Sequence, residues 1–328
     1  MLPKQRRNND IIHGGKLVTN SSEYMVRIFF WLVKWQFSLL VFFFGVLSLS
    51  AQDLEPRAYA NVPKDLNVIA AGYVFINGNV LTDPSLPIKD FTLQSHNMAV
   101  NYIRTFGLAN KLARIQVGLP FTFMDGSAVV SDQLVTGSRT GFADMKVRFG
   151  INLLGSPALD KSEFRSFEQK TILGVSLVTS IPTGRYYGDK QVNIGTNRWA
   201  FKPEIGVSKR FAHVYAEAYG GVWFYTDNND YLGKKLEQKP TYSLQAHASY
   251  YFKNQMWVGF NTTWFFGGRT ITDGVSDDSQ IDNWRVGGTF STPIAKGQSI
   301  RFQYHIGAYT NNGLNYYALS AVYQYSFF

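Results

Sequence analysis

From about residue 65 to its end the chain is built of segments of about ten to fifteen residues in which apolar and polar side chains alternate, and such a pattern can bury itself in few ways. In Thr241 to Phe252 the even positions are Tyr242, Leu244, Ala246, Ala248, Tyr250 and Phe252, and the odd ones Thr241, Ser243, Gln245, His247, Ser249 and Tyr251. Ala143 to Leu153 sets Ala143, Met145, Val147, Phe149, Ile151 and Leu153 against Asp144, Lys146, Arg148, Gly150 and Asn152. Near the end, Ile300, Phe302, Tyr304, Ile306 and Ala308 oppose Ser299, Arg301, Gln303, His305 and Gly307. A period of two puts alternate residues on opposite faces of a strand, whereas a helix would scatter them around its surface.

Twelve such segments lie near 66–79, 91–106, 111–124, 140–154, 168–182, 197–211, 212–226, 240–252, 255–267, 282–292, 298–310 and 314–328. An even number returns both termini to one side. The connections Gly107–Asn110, Arg210–His213, Lys253–Asn254 and Pro293–Gly297 are short, like periplasmic turns. Those near 80–90, 125–139, 183–196, 227–239 and 268–281 are longer and rich in Asp, Asn, Gly and Thr, like outer loops. Gly155–Phe167 is long for a turn and Thr310–Gly313 short for an outer loop, which leaves room for a miscounted strand.

The fold expected is all-β: a transmembrane antiparallel up-and-down barrel of about twelve strands in the bacterial outer membrane of a Gram-negative cell. A soluble β-protein also alternates, but only a membrane barrel turns its polar face inward. Trp199, Trp223, Tyr225, Trp257, Trp264 and Trp284 fall near predicted strand ends, where amphipathic rings suit the headgroup zone; in a soluble protein they would be core aromatics. The last strand, Leu314 to Phe328, presents Tyr317, Leu319, Ala321, Tyr323, Tyr325 and Phe327 to lipid and Ser320, Gln324 and Ser326 inward. Its aromatic end, Tyr323, Tyr325, Phe327 and Phe328, resembles the signal read by barrel assembly machinery, with the register running to Phe327.

Trp35 to Ala51 reads as a secretory signal: basic Arg27 and Lys34, apolar Phe37 to Leu49, then small Ser48, Ser50 and Ala51. The expected organisation is a non-native or disordered extension at 1–24, a signal peptide at 25–51, a periplasmic lead-in at 52–64 too short for a folded plug, and the barrel at 65–328. Removing residues 1–51 takes away six basic and two acidic residues and lowers the formal net charge from +9 to +5. Lys and Arg are spread along the remainder, so no nucleic-acid footprint is expected. There is no cysteine, hence no disulfide or thiolate site. No cofactor and no metal are expected. His96, His213, His247 and His305 are scattered, and the Asp227–Asp230 loop, which offers hard oxygen ligands for calcium, has a composition that exposed turns favour anyway.

The strand opening Gly141-Phe142-Ala143-Asp144, the strand ending Ser180-Ile181-Pro182-Thr183-Gly184, and the loop Asp227-Asn228-Asn229-Asp230-Tyr231 followed by Gln238 and Tyr242-Ser243-Leu244-Gln245 resemble the outer-membrane channel family named for the meta-cleavage pathway of phenol degradation. The resemblance runs from about residue 65 to the end, with Gly141-Phe142-Ala143-Asp144 standing where the family usually has Gly-Leu-Gly-Asp. It implies a barrel of about twelve strands that passes small molecules, aromatic ones among them. Read physically, Pro182-Thr183-Gly184 ends a strand, and Asp144 is an interior carboxylate paired with Lys146 and Arg148.

Placing the polar face inside puts Arg114, Lys146, Arg148, Lys170, Arg198, Lys202, Arg285 and Arg301 in the lumen, against Asp144, Glu204 and Glu217. Such a net-positive lumen would favour anionic solutes diffusing through; equally, the bases would pair with interior acids and stiffen the wall. Three function classes follow: a channel for small solutes, anionic or aromatic; a surface platform that transports nothing; and an outer-membrane phospholipase. The last uses His and Ser two apart on a strand, as His247 and Ser249 are, but here both sit on the lumen face without the Asn-Gly such enzymes carry. The expected partners are outer-membrane lipid, the assembly machinery and small solutes, with the oligomeric state open.

Overall fold

Long strands follow from the alternation of branched and aromatic residues with small polar ones, and the computed structural model describes residues 55–79, 88–130, 133–311 and 315–328. The expected extension at 1–24 and signal peptide at 25–51 lie outside the described residues. The strands are β1 Asn67–Asn79, β2 Ile88–Leu108, β3 Lys111–Val130, β4 Gln133–Phe142, β5 Met145–Leu154, β6 Thr171–Ile181, β7 Ala200–Phe211, β8 Val214–Tyr225, β9 Asn228–Tyr231, β10 Lys234–Gln238, β11 Thr241–Tyr251, β12 Trp257–Gly267, β13 Thr270–Thr272, β14 Val275–Ser276, β15 Ile281–Ala295, β16 Gln298–Thr310 and β17 Asn315–Phe327.

Twelve strands pair antiparallel in the order β1-β17-β16-β15-β12-β11-β8-β7-β6-β5-β3-β2. β1 comes back beside β2: Thr105 N donates to Leu66 O at 2.9 Å, and Asn97 Nδ2 to Val74 O at 3.2 Å. The sheet is thereby a closed barrel, which removes the edges that an open sheet would expose to lipid. β4 and β5 both pair with β3 and form one strand interrupted at Ala143-Asp144. The expected outer loops at 125–139, 227–239 and 268–281 are more ordered than their composition suggested. The first is the hairpin of β3 and β4, and the other two supply a separate sheet of order β14-β13-β10-β9. In it Lys235 bridges Asp227 and Glu237, each at 2.8 Å, and these contacts hold its ammonium above the usual lysine range. Asp227 is thus engaged by a lysine.

Burial decides between the two all-β readings. Along β11, Ser243, Gln245, His247 and Ser249 are buried while Tyr242, Leu244 and Tyr250 are exposed, with Ser249 at 1% and Leu244 at 50%. A soluble sandwich would show the reverse. The outward band of Ile205, Val207, Leu244, Phe260, Phe302 and Leu319 is what hydrocarbon solvates. Inside, the outer half of the barrel carries two apolar patches, Ile76 with Phe265, Ile281 and Tyr316, and Leu93 with Met124 and Ala128.

Three expectations need revision. Residues 155–170 hold no missed strand; they form a cap with a one-turn helix, Lys161–Phe164, tied to the β2–β3 turn by Leu112 N→Ser156 O at 3.1 Å and Ala158 N→Asn110 O at 3.2 Å. Lys170 lies exposed in that connection, outside the lumen, because β6 begins one residue later. Of the six aromatics assigned to the headgroup zone, Trp199, Trp264 and Trp284 are outward, but Trp257 is buried with Arg301 over its ring, Trp223 lies near Lys202, and the Tyr225 hydroxyl bonds Thr241. Parity explains the split: Trp223 and Tyr225 share the odd, inward register of Glu217, and Trp257 that of Asn261.

At the C-terminus Tyr323 and Tyr325 face out, Phe327 pairs with Asn67 and stacks on Tyr325 at 5.5 Å, and Phe328 falls beyond the ladder beside Lys161. Deleting Phe328 alone is therefore expected to leave assembly near normal, and deleting Phe327 with Phe328 to reduce the heat-modifiable, folded fraction in outer membranes several-fold. Equal defects would mean that the register runs from Phe328.

Candidate functional site

The inward faces of β5 to β8 do not enclose an empty tube. The described part of the lead-in, Glu55 to Lys64, is packed into the periplasmic half of the lumen, so its ten residues act as an interior strap although they are too few to fold alone. Arg57 N donates to Glu217 Oε2 at 2.8 Å, and its guanidinium meets Glu217 Oε1 at 3.2 Å and covers the Tyr215 ring. Arg114 donates to the carbonyls of Ala58 and Ala60 at 2.7 and 2.6 Å. Asn61 bonds Ser156, and Lys64 N donates to Leu159 O at 2.9 Å, which joins the strap to the 155–170 cap. A carbonyl inside a barrel needs a donor, and Arg114 supplies two.

Arg148 is the hub of this level. It binds Glu55 of the lead-in, donates through Nη2 to Glu204 Oε1 at 2.5 Å, and through Nε to Ser176 Oγ at 3.2 Å. Lys202 holds the other Glu204 oxygen at 3.0 Å. Buried carboxylates demand such saturation, because an unpaired one costs several kcal/mol, on the order of 3–5.

Toward the cell exterior the connection 182–199 folds into the barrel, and Asp144 fixes it. The carboxylate accepts from Gly184 N at 2.9 Å, Thr196 N at 2.9 Å and Thr196 Oγ1 at 2.6 Å. The interruption of the strand at Ala143-Asp144 turns this side chain inward, and the Pro182-Thr183-Gly184 ending delivers its first donor. The sequence reading paired Asp144 with Lys146 and Arg148; it instead spends its oxygens on two backbone N–H groups and a hydroxyl. Val192 and Ile194 of the connection pack on Leu93 and Met124.

This connection separates two spaces. Beneath it lies a chamber of about 570 Å3 whose lining includes Asn97, Asn101, Gln116, Lys146, Arg148 and, from the strap, Glu55. Beyond it a cavity of about 420 Å3 is walled by Leu93, Met124, Val135, Val192 and Leu232, with Arg139 among its polar groups. Both are lined by polar and apolar groups together; the first is bounded above by the connection and below by the strap, and the second carries Asp189, Lys190 and Gln191 beside its aliphatic side chains.

Across the lumen, β11, β12 and β15 contribute a hydrogen-bonded run, His247 Nδ1 with Asn261 Oδ1 at 2.9 Å and Asn261 Nδ2→Thr289 Oγ1 at 2.8 Å. Gln245 Oε1, His247 Nε2, Ser249 Oγ, Thr263 Oγ1 and His305 Nε2 have no hydrogen-bond partner among the described residues. Inward polar atoms of that kind take water or a polar solute.

The expected lumen set therefore divides by place. Arg114, Arg148, Lys202, Glu204 and Glu217 converge on the strap, Lys146 lines the chamber, and Asp144 holds the connection. Arg198 binds Gln238 and lies over the Tyr225 ring near the outer end. Arg285 Nη2 donates to Tyr316 O at 3.2 Å, and Arg301 Nη2 to Gln324 Oε1 at 3.3 Å. Sequence reasoning missed Glu55, Arg57 and Tyr59. Their signal was a charged pair and an aromatic within six residues, Glu55 to Ala60, unusual for a plain linker.

Compared with known proteins, the model of the family described as putative MetA-pathway of phenol degradation matches residues 70–326. Among solved structures, an outer-membrane channel from Pseudomonas putida F1 is 18% identical, with a TM-score of 0.70 over 84% of this chain and 100% of that one. The β domain of the Bordetella autotransporter BrkA is 12% identical, with a TM-score of 0.49 over 80% of this chain and 100% of its own. The monoaromatic hydrocarbon channel CymD is 7% identical, with a TM-score of 0.42 over 81% of this chain and 88% of that one. No curated protein matches.

Proposed function

This chain belongs to the family described as putative MetA-pathway of phenol degradation, and from that premise we propose that its outer-membrane barrel is a diffusion channel for small solutes. The observation that carries the reading is the chamber inside the wall, to which Asn97, Asn101, Gln116, Lys146 and Arg148 contribute polar groups, bounded at both ends by segments that are not part of the wall. A structural barrel has no need of an interior strap and an infolded connection. Such devices suit a pore that must exclude most solutes and admit some. The solved channel from Pseudomonas putida F1, which has the same fold, supports the reading.

The path favours small anions and molecules with an aromatic part. Lys146 and Arg148 line the chamber beside Glu55, and Arg114 and Arg301 direct hydrogen bonds at neutral oxygens. The carboxylates of Asp144, Glu204 and Glu217 are already engaged. The aliphatic side chains of the outer cavity, Leu93, Met124, Val135, Val192 and Leu232, offer a ring a surface ahead of the chamber. Under a salt gradient in a planar bilayer the reversal potential is expected to show anion preference, and Lys146→Glu with Arg301→Glu to reduce it. Cation preference of the unaltered protein contradicts the proposal. His247 and Ser249, buried on the lumen face and without a bond to each other, give a lipid hydrolase no access to its substrate.

A further inference from the structure

Gly174 and Gly206 are paired across β6 and β7 in the middle of their strands, where glycine weakens a sheet unless something must come close. What comes close is Tyr59 of the strap. A Cβ at Gly174 would stand 2.3 Å from the Tyr59 ring, and one at Gly206 2.2 Å from it. Tyr219 meets the ring edge-on, with centroids 5.1 Å apart, and the Arg148 guanidinium lies 5.4 Å from its centroid. The hydroxyl reaches Ser176 Oγ at 3.0 Å and donates to Glu204 Oε1 at 3.1 Å. The ring is 2% exposed. The wall thus holds a slot with a glycine floor, an aromatic side and a polar end, while its occupant belongs to a ten-residue strap held by hydrogen bonds and ion pairs.

We propose that this slot is a binding site for a free phenol, and that Tyr59 is its tethered occupant. A phenol entering the lumen competes with Tyr59, takes the same contacts, and holds the strap out of the slot. The polar end sets the chemistry. A ring without a hydroxyl forgoes the bonds to Ser176 and to the Glu204 carboxylate, which keep only Arg148 and Lys202, and this weakens binding roughly ten- to hundredfold. An aromatic carboxylate would bring a second negative charge against Glu204. The consequence for transport rests on the channel reading; the binding does not.

The test uses 4-methylphenol, the tyrosine side chain as a free molecule, with toluene as the control. In Tyr59→Ala, millimolar 4-methylphenol is expected to raise the thermal unfolding midpoint and to lower the single-channel current, toluene to need at least about tenfold more, and both responses to vanish in Tyr59→Ala with Gly206→Val, whose added side chain fills the slot. In the unaltered protein the same phenol should speed tryptic cleavage after Arg57 several-fold and toluene should not, a readout that stands even where Tyr59→Ala fails to assemble. Equal responses to the two ligands, or equal responses with and without Gly206→Val, overturn the slot. A Tyr59→Ala protein that conducts without binding 4-methylphenol overturns the slot alone; one that binds it without ever conducting leaves the slot standing and removes the channel.

Discussion

Replacing Arg148 with methionine is expected to lower the unfolding stability of the barrel by about 3–5 kcal/mol and to loosen the strap. The guanidinium is buried and ties Glu55, Glu204 and Ser176 together, so its loss leaves Glu204 with Lys202 and the Tyr59 hydroxyl, and Glu55 without its buried partner. Methionine keeps much of the volume, which makes charge and hydrogen bonding the variables that change. Urea unfolding in detergent reads the effect. Adding Glu204→Gln should recover part of it, because the two side chains act as one unit and their costs are not additive. A loss below about 1 kcal/mol, or no recovery in the double variant, would show that Arg148 is not the hub. Arg148→Glu is accordingly a poor probe of ion selectivity: it disturbs packing before it alters the chamber.

Asp144→Ala is expected to release the infolded connection. Three donors lose their acceptor at once, and with each hydrogen bond to a charged group worth about 1.5–3 kcal/mol the connection loses several kcal/mol of local stability. Hydrogen exchange of the amides of Gly184 and Thr196 should rise by two or more orders of magnitude, roughly what about 3 kcal/mol of local opening gives, while the amides of β11 and β12 stay protected. Single-channel currents should become noisier as the partition between chamber and outer cavity fluctuates. Unchanged protection at Gly184 and Thr196 would mean that Val192 and Ile194 hold the connection by packing alone.

The wall of this protein was legible because a strand's period is two: a row such as Thr241 to Tyr251 states both its conformation and its buried face. Twelve strands, their order and the outward C-terminal aromatics follow from that one regularity and from turn lengths. Parity also held the correct side for Trp257 and Trp223, but proximity to strand ends was weighed more heavily than register. What alternation does not carry is the conformation of segments that leave the wall. Residues 55–64 and 182–199 have no period, and their paths are fixed by long-range partners: Glu217 lies 160 residues from Arg57, and Thr196 lies 52 from Asp144. Gly141-Phe142-Ala143-Asp144 and Pro182-Thr183-Gly184 marked the right places, but as isolated turn signals they could not reveal that one binds the other. Lys170 failed for a smaller reason: the predicted strand began too early, and the alternation was extended into a cap.

The central claim, a channel whose lumen is occupied by its own strap, is tested most directly by recording the purified protein and a derivative lacking residues 55–60 in the same planar bilayer, with folding of both verified by heat modifiability. The derivative is expected to conduct at least about tenfold more than the protein with its strap, since the strap fills the narrow periplasmic half of a twelve-stranded lumen. Equal conductance in two folded proteins would contradict the account, and absence of current in both would remove the channel itself.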